Sequence, residues 1–501
     1  MTHRVRGLRP LVQTVFFLAF LYLLFKAAFP FETRLPVDLF MRLDPLAGLV
    51  TLVTQRDIFW RMLPGFGLLA LVALFGNFFC AWVCPMGSAV DLFGRVLFRE
   101  KKRAKPADDQ PLRRLRFGVF LASLGAALLA WQVLAVVDPI SLVTRVLVTF
   151  FFPAATVVYN QVVIGAAGLL SKGSTTLSTV PVPVFKAGIV IFVFFVAVLS
   201  LSVIRKRFWC RYLCPLGTLF AVVSRWRLVR RSVSEECTKC QRCVRDCPMG
   251  AIPADDPLAH RRATCVNCFQ CLECPPKAVS FRLSAGGAKP PAPAVSMSRR
   301  YALGSLGLGL AGAAAVKLSP LRGEAKLRND RLIRPPGALP EDRFVSVCTG
   351  CGECLKVCPN NALHPALFEA GLDGIYTPRL IPRIGYCEEL CNFCGRVCPT
   401  QAIRSLEVED KRLIQMGVAH VDKTRCIAHD TDKTCIVCNE QCSYHAVLLD
   451  EKKRPRVDEE KCTGCGICEN KCPVEGESAI VVRSTAAGQK RINPPADPLL
   501  G

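Results

Sequence analysis

The sequence is poor in the groups on which most enzymes depend. Acidic residues number 40 against 64 lysines and arginines, and no cysteine stands alone, since all 28 fall into regular clusters. There is no phosphate-binding loop, no nucleophile beside a base and no convincing acid/base dyad, so phosphoryl transfer and hydrolysis have no residues to carry them. A formal charge of +24 would suit a nucleic-acid binder, but many of the basic residues flank apolar runs. That placement argues for membrane topology and against nucleic acid as a partner.

Apolar surface, by contrast, is abundant. With 51% hydrophobic residues and a mean hydropathy of +0.31, part of the chain must lie in a membrane. Uncharged or nearly uncharged runs at 10–31, 62–80, 117–137 and 187–204 approach or reach the roughly 20 residues that cross the hydrocarbon layer. A fifth run, 146–171, contains Pro153, Asn160 and Gln161. Lysine plus arginine number three in residues 1–9, nine in 91–116 and eight in 205–231, against four in 32–61 and three in 138–186. Four spans put every rich segment on one side, so 146–171 is expected to be a re-entrant or interfacial hairpin.

This half of the chain repeats itself. LDPLAGL at 43–49 leads to a span ending in CAWVCPMG, and VDPISLV at 137–143 leads to one ending in CRYLCPLG. Spacing i, i+4 puts Cys80 with Cys84, and Cys210 with Cys214, on single helix faces, so the four thiols can converge on one metal or cluster. The plainer alternative is small packing residues or a redox-active thiol pair. Asp44 and Asp138, each before a proline and expected near the outer surface, are either quinol proton acceptors or simple turn residues.

Six cysteine tetrads follow. They are Cys237, Cys240, Cys243 and Cys247; Cys265, Cys268, Cys271 and Cys274; Cys348, Cys351, Cys354 and Cys358; Cys387, Cys391, Cys394 and Cys398; Cys426, Cys435, Cys438 and Cys442; and Cys462, Cys465, Cys468 and Cys472. CxxCxxCxxxCP is the ferredoxin run, in which three close thiolates wrap a 4Fe-4S cubane and the fourth reaches the neighbouring cluster. Zinc prefers separated CxxC pairs, so a triplet fits it badly. Cys274 departs from the spacing, and the long Cys426–Cys435 loop contains His429, a conceivable substitute ligand. Which tetrads share a fold is open: the Cys348 set can pair with the Cys387 set or with the Cys462 set. The segments between tetrads are too short for a large core, so ligation must supply much of the folding energy.

Between the second and third tetrads lies SMSRRYALGSLGLGLAGAAAVKLSP, paired arginines followed by sixteen uncharged residues. It is either a small-residue helix or a twin-arginine signal. Clusters need reducing conditions for assembly, so a cluster domain should be exported already folded, which favours the signal. AAA at 313–315 offers a cleavage site, whereas Lys317 would anchor an uncleaved fifth span.

Two CxxxCP motifs on a four-span core, with two ferredoxin tetrads behind them, resemble the NapH-type membrane ferredoxins and their MauN and NosR relatives. From Ser298 onward the twin arginines, IRPPGALPEDRF and four tetrads ending in CTGCGICENKCPVEG resemble NapG and MauM. The resemblance implies a fusion of the two: a membrane α-helical bundle of four spans plus a twin-arginine anchor, followed by α+β ferredoxin-like 4Fe-4S domains. The expected boundaries are 1–231 for the membrane domain, 232–283 for a two-cluster domain, 284–337 for linker and signal, 338–485 for a four-cluster region and 486–501 for a tail. It further implies a bacterial inner-membrane quinol dehydrogenase with six 4Fe-4S clusters on the 24 tetrad cysteines. The first ferredoxin domain would be cytoplasmic and the C-terminal one periplasmic, linking the quinone pool to a periplasmic cytochrome or reductase. Competing readings are a CcoG-like assembly factor and a membrane-anchored cytoplasmic polyferredoxin.

Overall fold

The structure is a computed structural model that describes residues 2–28, 36–55, 60–97, 110–170, 180–274, 277–283, 298–319, 330–431, 433–485 and 488–492. The Pro/Gly/Ala linker before Ser298 and the basic residues Arg322, Lys326 and Arg328 lie outside them. The chain forms two compact units that follow contacts and not chain order. One comprises 1–25, 39–143 and 193–315; the other comprises 26–38, 144–192 and 316–501.

In the first unit the internal repeat is visible as helix starts. Helices Pro45–Gln55, Pro85–Leu97 and Pro215–Val223, together with the start of Pro139–Val146, each begin on a proline directly after Asp44, Cys84, Cys214 and Asp138 respectively. Proline suits the first helical position, where its missing N–H is no loss, and the preceding side chain caps the exposed amides. Asp44 Oδ1 accepts from the amides of Leu46 at 2.9 Å and Ala47 at 3.2 Å, Asp138 Oδ2 from that of Ser141 at 2.6 Å, and Cys214 Sγ from that of Gly217 at 3.3 Å. Strands Val229–Val233 and Val279–Leu283 pair antiparallel and close off the first two tetrads.

The RRYALG stretch is the helix Arg299–Leu318, started by Ser298, whose hydroxyl accepts from the Tyr301 amide at 3.2 Å. It lies against the helix Gln110–Leu128 through glycines. A Cβ at Gly118 would stand 2.6 Å from the Tyr301 hydroxyl, one at Gly125 would run into the Leu306 carbonyl, and one at Gly309 into that of Ala122. Backbones approach this closely only where one partner lacks a side chain.

Among the described residues three helices are long and apolar enough to cross a membrane: Leu8–Lys26, Pro139–Gly165 and Arg299–Leu318. Trp60–Phe75 and Gly188–Val203, where the second and fourth spans were expected, are shorter apolar helices. The third expected span, 117–137, is broken: its helix ends at Leu128, Ala130 takes a φ of +55°, and a separate short helix covers Leu134–Val137.

In the second unit 146–171 is not a hairpin. Residues 139–170 run on helically, with a π turn at Leu147–Phe151 just before Pro153. Pro153 cannot donate to the carbonyl of Thr149 and would crowd it, and the wider turn relieves that clash. The freed carbonyl is approached by Gly188, where a Cβ would stand 2.5 Å away. The polar side chain that argued for a bend is also satisfied, for the Asn160 amide exchanges two hydrogen bonds with the backbone of Val180, at 2.8 and 3.1 Å.

The rest of this unit is small two-stranded pairs. Gly417–Val421 pairs antiparallel with Ile480–Ser484 around the last two tetrads, while a bridge from Ala338 to Ile403 brackets the Cys348 and Cys387 tetrads. Strand before and strand after thus bind each pair of tetrads into one fold.

Candidate iron–sulfur and thiol centres

Four of the six triplets owe their shape to left-handed backbone on either side of the second cysteine. Lys239 and Gln241, Asn267 and Phe269, Gly350 and Gly352, and Gly464 and Gly466 all have positive φ, between 48° and 91°. Glycine takes this conformation freely, whereas the four non-glycine residues hold it at a cost. The glycines of CTGCG are therefore needed for the turn itself, and at Gly464 also for room, since a Cβ would stand 2.5 Å from the Gly417 carbonyl. The Cys387 and Cys426 loops, with their longer first spacing, do not use this turn. In the equivalent positions Asn392 and Ile436 have φ of −124° and −117°.

The fourth cysteines show a second recurring device. Three residues after Cys247, Cys274, Cys358, Cys398 and Cys442 comes a left-handed residue: Gly250, Lys277, Asn361, Gln401 and His445. This turns the following amide back, so that Ala251 donates to Cys247 Sγ at 3.2 Å, Ala362 to Cys358 Sγ at 3.2 Å and Ala446 to Cys442 Sγ at 3.3 Å. Amide donors favour the thiolate and stabilise a negatively charged cluster.

The pairing left open by the spacing is settled by position. Cys348, Cys351, Cys354 and Cys398 line one cavity, and Cys426, Cys435, Cys438 and Cys472 line another. Cys394 has Cys387, Cys391 and Cys358 as charged neighbours, and Cys468 has Cys465, Cys462 and Cys442. In the first unit Cys271 neighbours Cys265, Cys268 and Cys247, while Cys243 neighbours Cys237, Cys240 and Cys274. In every case the fourth cysteine crosses to the triplet of the other tetrad, and Cys274 takes its place despite its short spacing. His429 is turned away, its Nε2 within 3.3 Å of the Pro455 carbonyl oxygen, so four cysteines and no histidine form that site.

These sets suit a cubane better than one ion. Among the described residues no three His, Cys, Asp or Glu side chains converge tightly enough to hold a single metal ion, yet four cysteines ring each cavity. Burial pushes the Cys348 thiol up to about 12, with Cys398 adding to it, and the Cys465 thiol likewise to about 12. Buried thiols of this kind ionise only against a metal's charge.

Cys80, Cys84, Cys210 and Cys214 also come together. They share a cavity with Asn77, Arg116, Pro139, Met249 and Val266. Two buried guanidiniums flank it. Arg116 Nε donates to Thr218 Oγ1 at 3.0 Å and its Nη2 to the Gly217 carbonyl; Arg207 Nη1 donates to the Cys80 carbonyl at 3.1 Å. Arg207 is held in turn by Asp91 at 2.7 and 2.8 Å, and Arg9 joins the same carboxylate at 2.5 Å. Burial alone would raise the Asp91 carboxyl, but the charge and hydrogen bonds of Arg207, with Arg9 and Gln13 behind them, hold it well below the usual carboxylate range. With the N-termini of proline-started helices at Cys84 and Cys214, the cavity is electropositive, as a cluster with four thiolates requires.

Asp44 and Asp138 were expected near the outer surface. The structure instead buries both, at 2% and 1% exposed, and Pro139 lies on the wall of the four-cysteine cavity. The helices that they cap are 11 and 8 residues long, so each repeat carries its Asp-Pro end into the bundle and not out of it. The two carboxyls are neighbours: burial raises that of Asp44 well above the usual range, and the charge of Asp138 raises it further. That convergence was not readable from either Asp-Pro alone. The twofold repeat of the Asp-Pro and Cys-Pro pairs was the available signal.

Comparison with known proteins finds 4Fe-4S binding domains in part of this chain. A 4Fe-4S binding domain family matches residues 57–106 and 187–234, the stretches that contain the two CxxxCP motifs. A second 4Fe-4S binding domain family matches 344–364 and 455–476. The methylamine utilization ferredoxin-type protein MauM of Methylorubrum extorquens is 33% identical over 41% of this chain and 97% of its own length. The ferredoxin-type protein NapG of Escherichia coli is 35% identical over 28% of this chain and 67% of its own. The putative electron transport protein YccM of Escherichia coli is 29% identical over 48% and 62% respectively. No solved structure matches the chain.

Proposed function

Because the chain belongs to the family of MauM- and NapG-type ferredoxin proteins, we propose that it is a membrane-bound polyferredoxin that takes electrons from quinol and delivers them to a periplasmic cytochrome or reductase. The 24 tetrad cysteines hold six 4Fe-4S clusters in the crossed sets described above, and Cys80, Cys84, Cys210 and Cys214 hold a further metal or cluster. The membrane half joins to the soluble half as a NapH-type protein fused to a NapG-type one, with Arg299–Leu318 as the retained junction. The observation that carries the reading is the shared wall of the four-cysteine cavity: Met249 and Val266, between the ligands of the first ferredoxin domain, line it together with the CxxxCP thiols.

When bound, clusters supply one-electron relays, so the protein's own part is to take up protons and to fix distance and potential. Oxidation of a quinol releases two electrons and two protons. The neighbouring buried carboxyls of Asp44 and Asp138, the latter directly before Pro139 of the cavity wall, would take up those protons in turn and pass them on. Arg116 and Arg207 balance the negative charge that arrives at the thiolates.

The test is anaerobic addition of a quinol analogue to the purified protein with cluster reduction followed by absorbance and paramagnetic resonance. Reduction that is lost in Asp44→Asn and Asp138→Asn, while dithionite still reduces every cluster, supports the reading. No reduction of the native protein by quinol would sink it in favour of an assembly role, and a cytoplasmic result from a reporter fused to the C terminus would remove the periplasmic acceptor.

A further inference from the structure

Within the second unit the Cys348–Cys354 loop does not face water. It is seated on the segment that follows Val143. Arg145 is 1% exposed, and its Nε donates to the Gly350 carbonyl at 2.8 Å, inside the CTGCG turn. Its guanidinium lies flat on Tyr376, 4.0 Å from the ring centroid, and Tyr376 itself lines the cavity of Cys348, Cys351, Cys354 and Cys398. At Gly352 a Cβ would come within 3.6 Å of the Arg145 Cα, so the two backbones are in contact. Around this point Lys356 stands 4.0 Å over the Phe152 ring, Asn361 donates to the Val184 carbonyl at 3.0 Å, and His364 packs on Phe185 at 5.4 Å. The loop's own carboxyl, Glu353, has Asp38 and Lys356 as its charged neighbours.

The four cysteine sets of this unit form a string. Sets with crossed ligands are adjacent by construction, and the amide of Cys387 donates to the Cys465 carbonyl at 2.8 Å, which joins the two ferredoxin folds. The cavity beside Arg145 shares its crossed ligand with the Cys387 set and stands at one end of the string.

We infer that Arg145 raises the redox potential of the cluster held by Cys348, Cys351, Cys354 and Cys398. The inference rests on the cluster reading above and is independent of quinol. A fixed positive charge behind the cavity wall favours the reduced, more negative state, and at 1% exposed it is little screened by solvent. Stacking on Tyr376 and the bond to Gly350 hold the charge in place, which a mobile lysine on the surface could not do.

The experiment is a mediated redox titration of the full chain in detergent, with iron content measured alongside. Arg145→Gln is expected to keep all its iron and to move one midpoint to more negative potential. The signal that moves should be the one altered in Cys398→Ser. Arg425→Gln, which removes a charge from an exposed pair with Glu477, should move none comparably. Unchanged midpoints at full iron, or a shift in a signal that Cys398→Ser leaves intact, would overturn the assignment. Should Arg145→Gln lose iron, Arg145→Lys decides. Its ammonium keeps the positive charge, so the same midpoint should stay close to the native one, and a large negative shift with the charge retained refutes the proposal. If quinol oxidation itself fails, the dithionite-driven titration still reads this effect.

Discussion

Whether Arg299–Leu318 is a discarded signal or a resident helix has an energetic consequence at single glycines. Gly309 meets the Ala122 carbonyl closer than the 3.0 Å that a Cβ respects, whereas Gly304 and Gly307 on the same helix have nothing within 4 Å. Alanine in place of glycine gains ~1 kcal/mol of helix propensity wherever there is room. At Gly309 the methyl must instead force the two backbones apart by roughly 1 Å to restore van der Waals separation, and such overpacking costs ~1–3 kcal/mol. Gly309→Ala should therefore unfold below Gly304→Ala and Gly307→Ala, by a difference worth about 1–3 kcal/mol, since the propensity gain is common to all three. The assay is thermal unfolding of the purified full chain in detergent, followed by cluster absorbance, with intact mass measured on the same samples. Equal stability of all three variants, or a native chain cut near Ala313–Ala315, would refute the resident helix.

Three further outcomes are expected. Cys398→Ser should abolish the same paramagnetic signal as Cys351→Ser and not that of Cys391→Ser, because Cys398 lies in the Cys348 cavity; the opposite match would show uncrossed ligation. Asp91→Asn strands Arg207, whose side chain is 2% exposed, and Arg9 at 6%. Removing one member of a buried pair costs ~3–5 kcal/mol, so a denaturation midpoint close to that of the native protein would refute the account of that ion cluster. Iron chelation under reducing conditions should unfold 330–485, and far-ultraviolet dichroism or protease resistance that survives full iron loss would show a core independent of ligation.

Much of the chemistry was legible because it is local. CxxCxxCxxxCP sets three ligands within one turn, and the Asp-Pro and Cys-Pro pairs mark four helix starts by proline and its cap. Two features escaped for physical reasons. Pro153 read as a helix breaker, yet the π turn over Leu147–Phe151 and the close approach of Gly188 absorb its missing donor and freed carbonyl. Asp44 and Asp138 read as quinol proton acceptors or as turns at span boundaries, and nothing in a dipeptide says that two short helices, far apart in the chain, will begin side by side.

Chain order also misleads about the string of centres. The tetrads run Cys348, Cys387, Cys426, Cys462, but it is Cys387 that touches Cys465, while Cys438 adjoins Cys468 from the other side. The Cys426 triplet therefore stands at the far end, although the Cys462 triplet comes later. This is where the ferredoxin spacing is broken by the long loop with His429. A ligand loop between two other clusters can lengthen little, as the one extra residue between Cys387 and Cys391 shows, whereas a loop at the terminus can grow outward. Cys435 and Cys438 are partly exposed there, while Cys348, Cys351 and Cys354 at the Arg145 end are buried. One end of the string is thus sealed against a helix of the same chain, and the sequence departs from the ferredoxin rule most at the other end.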